Sequence, residues 1–511
     1  MTVSATYDVL VIGGGHNGLT AAATLAKKGK SVCVIEKSEQ LGGMAREVAH
    51  LLYNLHPKVV RELGLKGLAD GKPLATVSLV EDGKHVEIAG DTVRFADGTT
   101  HPDAVAYVEL TSRLKKFAAL LGQLSSHSPP KLDGGLTSLA TLGELAGLAK
   151  LGLNLKLLGK KDMNEFLRVI LTNAYDLVLD EMPDGPLAGA LCADAVRGNY
   201  VGPRSPGTVF NLMYRLGQGG EAYLPKGGME AVVCAFESAA RTAGAEVRTG
   251  QGVKRILVED DKATGVELED GTHIAARTVM ASTGPQAVMQ MAGVEHFDVE
   301  AARRIRNTRC KGTVAKLSLV LKDAPSIVGL SREQMRSRFL IAPSAAVVER
   351  SFNPAKYNEL PAAPVIEAVI LTPSDPDLAA KGQHILSLNV QHIPHTPEGG
   401  WDEAKRQQVI DTVVAQLEVY MPGVSASIER ADLLTPADIE ELTGAPGGHW
   451  HHAEMGVDQI LTVRPVNGLA HYGFAVQGLY LCGASAHPGG DVTGLPGRNS
   501  AIQLLKDGVL S

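Results

Sequence analysis

Three glycines near the amino terminus, Gly13, Gly15 and Gly18, stand in the spacing G-x-G-x-x-G, and Glu36 follows. The chemistry such a pattern supports is the grip of a dinucleotide. Gly13 permits a tight turn, Gly15 lets a pyrophosphate approach the backbone, and Gly18 lets a helix pack closely. Backbone N–H groups at the helix start, around Asn17, and the positive helix end hold the phosphates. A carboxylate at Glu36, about 20 residues beyond the turn, accepts hydrogen bonds from ribose hydroxyls. It also repels a 2′-phosphate, which disfavours NADP. The bare glycine pattern would arise by chance about once in a chain this long, so its surroundings decide its meaning.

Those surroundings must supply a strand before the turn and a helix after it. Residues 8–12 (DVLVI) form a short β-branched run that reads as a buried parallel strand. Residues 19–28 read as a helix closed by Gly29, with Ala22 small enough to pack on a sheet, and residues 31–35 (SVCVI) as a second strand ending at Glu36. Strand, helix and strand in this order form a βαβ unit.

Lys37, Gly42, Gly43, Met44 and Arg46 come next. This run resembles the FAD-binding segment of glutathione-reductase-type flavoproteins, in which a glycine pair and a nearby basic group lie against the pyrophosphate and ribityl chain. A third piece lies at the other end of the chain. Residues 478–501 (GLYLCGASAHPGGDVTGLPGRNSA) set a strand, a glycine loop and a helix start in order, a geometry that presents N–H groups to an anionic or polarised ring edge.

With that segment the resemblance becomes close. The chain resembles the phytoene-desaturase-like FAD-dependent oxidoreductases, in particular the branch of pyridine nucleotide-disulfide oxidoreductase domain-containing protein 2. Residues 202–208 (GPRSPGT), 224–256 and 447–465 match that branch too, so the resemblance covers nearly the whole chain. It implies an α/β fold with segments interleaved. A glutathione-reductase-type FAD domain, a doubly wound parallel sheet with a small β-meander, is expected from residues 1–76, 224–285 and 463–511. A mixed α+β substrate domain with a helical lid is expected from 77–223 and 286–462. The resemblance further implies that the Val253 backbone holds the adenine and that Gly483 faces the pyrophosphate or ribityl region. Asp491 would lie near the ribityl chain, with Val492 and Thr493 under the flavin ring. The chain departs from the pattern after the glycine pair, where Arg46 runs quickly into residues 51–64 and part of the pocket wall is trimmed.

Other stretches yield coarser expectations. Residues 51–64 and 105–124 read as helices, 77–98 as hairpin strands, and 246–249, 252–259 and 263–269 as an antiparallel meander. Residues 136–161 carry one acid, Glu144, among leucines and four lysines. They read as a membrane-surface helix or as a core or lid helix.

Catalysis by a flavin desaturase asks little of side chains: hydride leaves a C–H for flavin N5, and a base takes a proton from the adjacent carbon. His449, Trp450 and His451, with His452, precede the tail segment and are the candidates for base or oxygen donor, tuned by Glu454 or Asp458. The same residues read equally as a strand cap or a contact with the other domain. Arg204 is placed either against an acidic substrate group or in a surface salt bridge.

Composition narrows the classes. The chain has 511 residues, a net charge of −7 and 44% hydrophobic residues, which argues against nucleic-acid binding and against disorder. Five separated cysteines, Cys33, Cys192, Cys234, Cys310 and Cys482, form no C-x-x-C, so no dithiol relay and no metal site is expected. Without a basic leader or a long apolar run, a cytoplasmic location is expected, with an organellar matrix left open. The expected partners are a small lipophilic or cyclic substrate and oxygen or a quinone as electron acceptor; peripheral membrane contact and a homodimer are compatible with this reading. The function expected is desaturation or dehydrogenation of a C–C bond. A polyene isomerase without net redox and a non-catalytic flavin-stabilised interaction protein are the alternatives. An amine oxidase shares the fold, but no aromatic-cage pattern supports it.

Overall fold

The computed structural model describes residues 3–69, 71–129, 159–217 and 219–510. The apolar run near the amino terminus becomes β1 (Val3–Ile12), with Val9, Leu10 and Val11 fully buried. Burial on both faces is what a central parallel strand covered by helices requires. Parallel to it lie β2 (Val32–Ile35) on one side and β11 (His273–Ala281) on the other. β8 (Glu246–Arg248) extends the sheet beyond β2, and β17 (Leu479–Leu481) pairs with the end of β11. β9 (Val253–Glu259) and β10 (Lys262–Leu268) complete it as an antiparallel meander on β11. The meander expected at 246–269 is thus displaced by one strand. Helix 228–242 carries the chain back across the sheet, so residues 246–248 pair in parallel with β2.

Helix α1 (His16–Ala26) covers this sheet, and its alanines let α6 (Leu495–Lys506) and α4 (Gly228–Thr242) pack closely against it. Two further helices matter for the site: α2 (Ala104–Ser125) and α3 (Thr208–Arg215).

A short β3 (Leu52–Tyr53) pairs with β7 (Ala222–Tyr223). The helix expected from residue 51 begins only at Pro57, where His56 Nδ1 accepts from Lys58 N. The residue before a proline is held extended, so the helix cannot start earlier.

The second sheet has eight strands. It contains β4 (Thr76–Ser78), β5 (Val86–Ala89), β6 (Thr92–Phe95), β12 (Val314–Leu321), β13 (Arg338–Ile341), β14 (Ile366–Ile370), β15 (His384–Gln391) and β16 (Ile428–Leu434). Their order is β16-β12-β15-β14-β13-β4-β5-β6. Period-two alternation gives the sheet two unlike faces. Leu317, Leu319, Ala368, Leu386 and Leu388 pack against Val409, Val413 and Leu417 of α5 (Glu403–Tyr420). Lys316, Glu367, Ser387, Asn389 and Arg338 occupy the opposite face and are also buried. Most of residues 136–161 lie outside the described residues. Among the described residues no helix is long and apolar enough to cross a membrane.

Candidate functional site

The two ends of the chain meet. Gly13 adopts φ +96°, which an L side chain resists, and its N–H donates to Ile35 O at 2.8 Å. A Cβ on Gly18 would stand 2.1 Å from Gly13 O, so only glycine lets α1 fold back onto the turn. Gly15 opens α1 with no side-chain cap, and no acid lies in the first turn. The helix start is therefore left to an anion. Glu36 stands beside the loop, its Oε2 accepting from Gly14 N at 2.6 Å and its Oε1 from Ser38 N at 2.9 Å. Each carboxylate oxygen keeps a second lone pair for another donor.

From the other end, α6 presses on α1: a Cβ on Gly497 would lie 1.9 Å from Asn17 O. Gly483 approaches Ser282 with similar closeness, and α6 starts at Gly494, with Thr493 Oγ1 accepting from Leu495 N at 3.2 Å. Asp491, at φ +57°, accepts from Asn54 Nδ2 at 2.8 Å, and its carbonyl lies 3.1 Å from His16 Nε2. A cleft forms at this junction, lined by His16, Met44, Ala45, Val48, Tyr53, Arg197, Trp450, Asp491 and Val492. Met44, Trp450, Asp491 and Val492, singled out far apart in the sequence, thus share one cleft.

The other residues expected at the cofactor lie outside the lining of this cleft. Arg46 turns to Glu230 at 3.1 Å, and Lys37 is exposed. Gly43 faces open space, while Gly42 N bonds Gly14 O at 3.1 Å. Val253 opens β9 opposite Leu268, and Thr493 lines a neighbouring cavity.

The polar face of the second sheet abuts the cleft through Tyr53 and Arg197. Glu367 is its centre, accepting from Arg338 Nε at 2.7 Å, Tyr53 OH at 3.0 Å and Asn389 Nδ2 at 3.1 Å. Arg197 Nε lies 3.4 Å from it. Burial alone would raise the Glu367 pKa, but Arg197 and Arg338 hold it well below the usual carboxylate range. Lys316 donates to Ser387 Oγ at 2.6 Å, and burial pulls its pKa down to about 7 against the opposing charge of Glu367. His50 spans Ser387 Oγ at 3.2 Å and Glu367 Oε1 at 3.0 Å. An ionised Glu367 only accepts, so His50 Nε2 carries the hydrogen and Nδ1 accepts from Ser387. Burial keeps this imidazole neutral, with a pKa of about 4. Lys316, Ser387, His50 and Glu367 form one hydrogen-bonded chain. Sequence reasoning missed it, although a lysine and a glutamate inside apolar alternating strands were its visible signal.

The histidine run needs correction. Glu454 and Asp458 tune no histidine: they hold Arg309, at 3.1 and 2.7 Å. His449 and His451 are buried, and burial together with neighbouring charged groups drives both pKa values well below the usual imidazole range. Trp450 faces the cleft and His451 a small polar cavity, while His449 packs beside His451. Arg464, fully buried, pins this loop to the tail by donating to His451 O and Ala484 O, each at 2.9 Å. Arg204 stacks on Tyr175 at the surface, 3.8 Å from the ring centre.

Beside the cleft lies a mainly apolar pocket, open to solvent, walled by Ala118, Leu121, Phe210, Met213, Leu461 and Leu495, with Asn54, His56, Ser125, Tyr214, His487 and Thr493 as its polar lining. The junction fits an FAD. The start of α1 is uncapped, the backbone at Gly43 is open, and the buried Asn17 Oδ1, Gln251 Oε1 and Trp450 Nε1 have no hydrogen-bond partner among the described residues.

Comparison with known proteins agrees. The pattern of the flavin containing amine oxidoreductase family matches residues 18–494. The chain is 30% identical to pyridine nucleotide-disulfide oxidoreductase domain-containing protein 2 of Mus musculus, over 98% of this chain and 94% of that protein. It is 26% identical to a limonene dehydrogenase polypeptide of Castellaniella defragrans, again over 98% and 94%. An oxidoreductase from Methanosarcina mazei shares the fold, with a TM-score of 0.61 at 16% identity, over 98% of this chain and 100% of that one.

Proposed function

The chain belongs to the flavin containing amine oxidoreductase family, and from that premise, as an FAD-dependent oxidoreductase, we propose that it dehydrogenates a C–C bond of a mainly apolar small molecule. The observation that carries this reading is the mainly apolar pocket set against the cleft, where Asn54 of the pocket donates to Asp491 of the cleft. The relative named for limonene dehydrogenation supports it.

FAD, when bound, supplies the two-electron acceptor for a substrate hydride and passes the pair to oxygen, a quinone or another carrier. Residues 13–18 and the start of α1 would hold the pyrophosphate, Glu36 the ribose, and the Val253 backbone the adenine. Residues 42–44 would lie along the ribityl chain, and residues 491–493, at the start of α6, by the ring edge. Leu121, Phe210 and Met213 exclude water from the substrate body. Removing a hydride from one carbon leaves a proton to be lost from the next. The candidate base is Lys316, which lies on the polar sheet face that reaches the cleft through Glu367, Tyr53 and Arg197, and whose amine burial leaves partly neutral near pH 7. Ser387 and His50 then tie that amine to Glu367, which holds the positive charge that develops.

The test is anaerobic addition of limonene, an acyclic polyene and an alkylamine to the FAD-loaded protein. Stoichiometric bleaching of the flavin band by a hydrocarbon, with an unsaturated product, is the expected result. Bleaching by the amine alone would sink the reading. Isomerised product without bleaching would favour the non-redox alternative.

A further inference from the structure

A third pocket, small and polar, lies between α3 and the histidine loop and is lined by Asp194, Arg197, Asn199, Asn211, Tyr214, Arg215, His451, Met455 and Asp491. Tyr214 also lines the apolar cavity, and Arg197 and Asp491 also line the cofactor cleft. The polar cavity therefore borders both.

Several of its polar groups are unmet: Asn211 Oδ1 and His451 Nδ1 have no hydrogen-bond partner among the described residues, nor do two nitrogens of Arg215. Arg215 is 5% exposed, and its Nε and Nη1 have no hydrogen-bond partner among the described residues. Its nearest carboxylate, Asp194, stands 3.9 Å from Nε, beyond hydrogen-bond reach, and is engaged by Arg338. Arg197 is also loosely held, with Glu367 and Asp491 at 3.4 and 3.5 Å. Both guanidiniums lie 4.2 Å from the centre of the Tyr53 ring. The acids nearby are already committed. Glu367 serves Arg338, Tyr53, Asn389 and His50, and Asp491 serves Asn54. Three guanidiniums thus face three carboxylates, and Arg215 is hydrogen-bonded to none of them. A buried guanidinium with unmet N–H groups calls for an acceptor with a planar pair of oxygens. A substrate ammonium would meet two fixed cations and two carboxylates, Asp194 and Asp491, that already hold donors of their own.

We propose that this pocket is a carboxylate subsite: Arg215, with Arg197 beside it, binds the acid group of an amphipathic substrate whose apolar body lies in the neighbouring apolar pocket. The inference rests on the proposed dehydrogenation only for the assignment of that apolar cavity to substrate. It narrows the substrate from lipophilic molecules in general to apolar carboxylic acids, and it gives one anchor that fixes which carbon reaches the cleft.

The experiment titrates the FAD-loaded protein with dodecanoate, methyl dodecanoate and dodecylamine, following the flavin difference spectrum. Dodecanoate is expected to bind at least about tenfold tighter than its ester, as a charge-assisted bidentate contact requires, and the amine weakest. In Arg215→Met the preference for acid over ester should vanish with FAD still bound. Arg215→Lys should restore part of it. Equal binding of acid and ester by the unaltered protein overturns the subsite, whether or not the variants fold, and so does an undiminished preference in Arg215→Met. Those outcomes leave the dehydrogenase reading standing if a hydrocarbon bleaches the flavin. A clear acid preference with no bleaching by any apolar compound would spare the subsite and remove that reading.

Discussion

Gly497→Ala puts two opposing effects in competition at the junction of the chain ends. Gly497 lies inside α6, so alanine should stabilise the helix by up to ~1 kcal/mol through backbone entropy alone. The added Cβ, however, would sit 1.9 Å from Asn17 O, 2.8 Å from Asn17 C and 3.1 Å from Ala21 N, all backbone atoms of α1. Ordinary contact begins near 3.4 Å, so the helices must part by roughly 1.5 Å in a close-packed interior. Overpacking of that kind typically costs ~1–3 kcal/mol, so the clash outweighs the propensity gain. The displaced element is the start of α1, where the phosphates would lie, so FAD retention should fall at least about tenfold, the equivalent of ~1.4 kcal/mol. The assay is FAD per chain after gel filtration, with melting temperatures measured with and without added FAD, since a ligand that binds only the folded state raises Tm. Gly71→Ala, where a Cβ would meet nothing within 4 Å, is the control. A Gly497→Ala protein with full FAD and an unchanged or higher Tm would refute the reasoning.

Lys316→Met should remove a rising limb from the pH profile of flavin reduction measured by anaerobic stopped flow. The lysine pKa is depressed to about 7, so its neutral, proton-accepting form grows as pH rises through that value; the variant should be flat there and ~100-fold slower. A limb that survives in the variant assigns the titration to another group. Glu367→Gln leaves Arg338 and Arg197 buried without their shared carboxylate and should destabilise the fold by ~3–5 kcal/mol in chemical denaturation. A change below ~1 kcal/mol would show that the cluster is held by its other members. Leu121→Trp, which projects bulk into the apolar cavity, should raise KM for the apolar substrate while leaving FAD content unchanged; an unaltered KM would place the substrate elsewhere.

The cofactor cradle was largely legible because its logic is local. A β-branched run, three glycines at fixed offsets and a carboxylate at the end of the next strand carry most of the first half, and the glycine-rich tail carries the second. The polar floor was half legible. Lys316, Glu367, Ser387 and Asn389 stand out in apolar alternating strands, but only sheet pairing shows that Lys316 lies opposite Asn389 and Asn389 opposite Glu367. Residues 246–248 were assigned to the wrong part of the sheet because parallel pairing leaves no mark on a three-residue strand. The histidine run drew attention by composition, yet side-chain direction there depends on Arg464, whose role in pinning the loop arises only when residues 451–459 and 484–486 come together.

The claim on which the rest depends is that the amino-terminal turn and the tail close around one flavin nucleotide. The direct measurement is the FAD released per chain by denaturing the purified protein, quantified by absorbance. One FAD per chain is expected, falling sharply in Gly497→Ala. A colourless protein that takes up no FAD on incubation would contradict it.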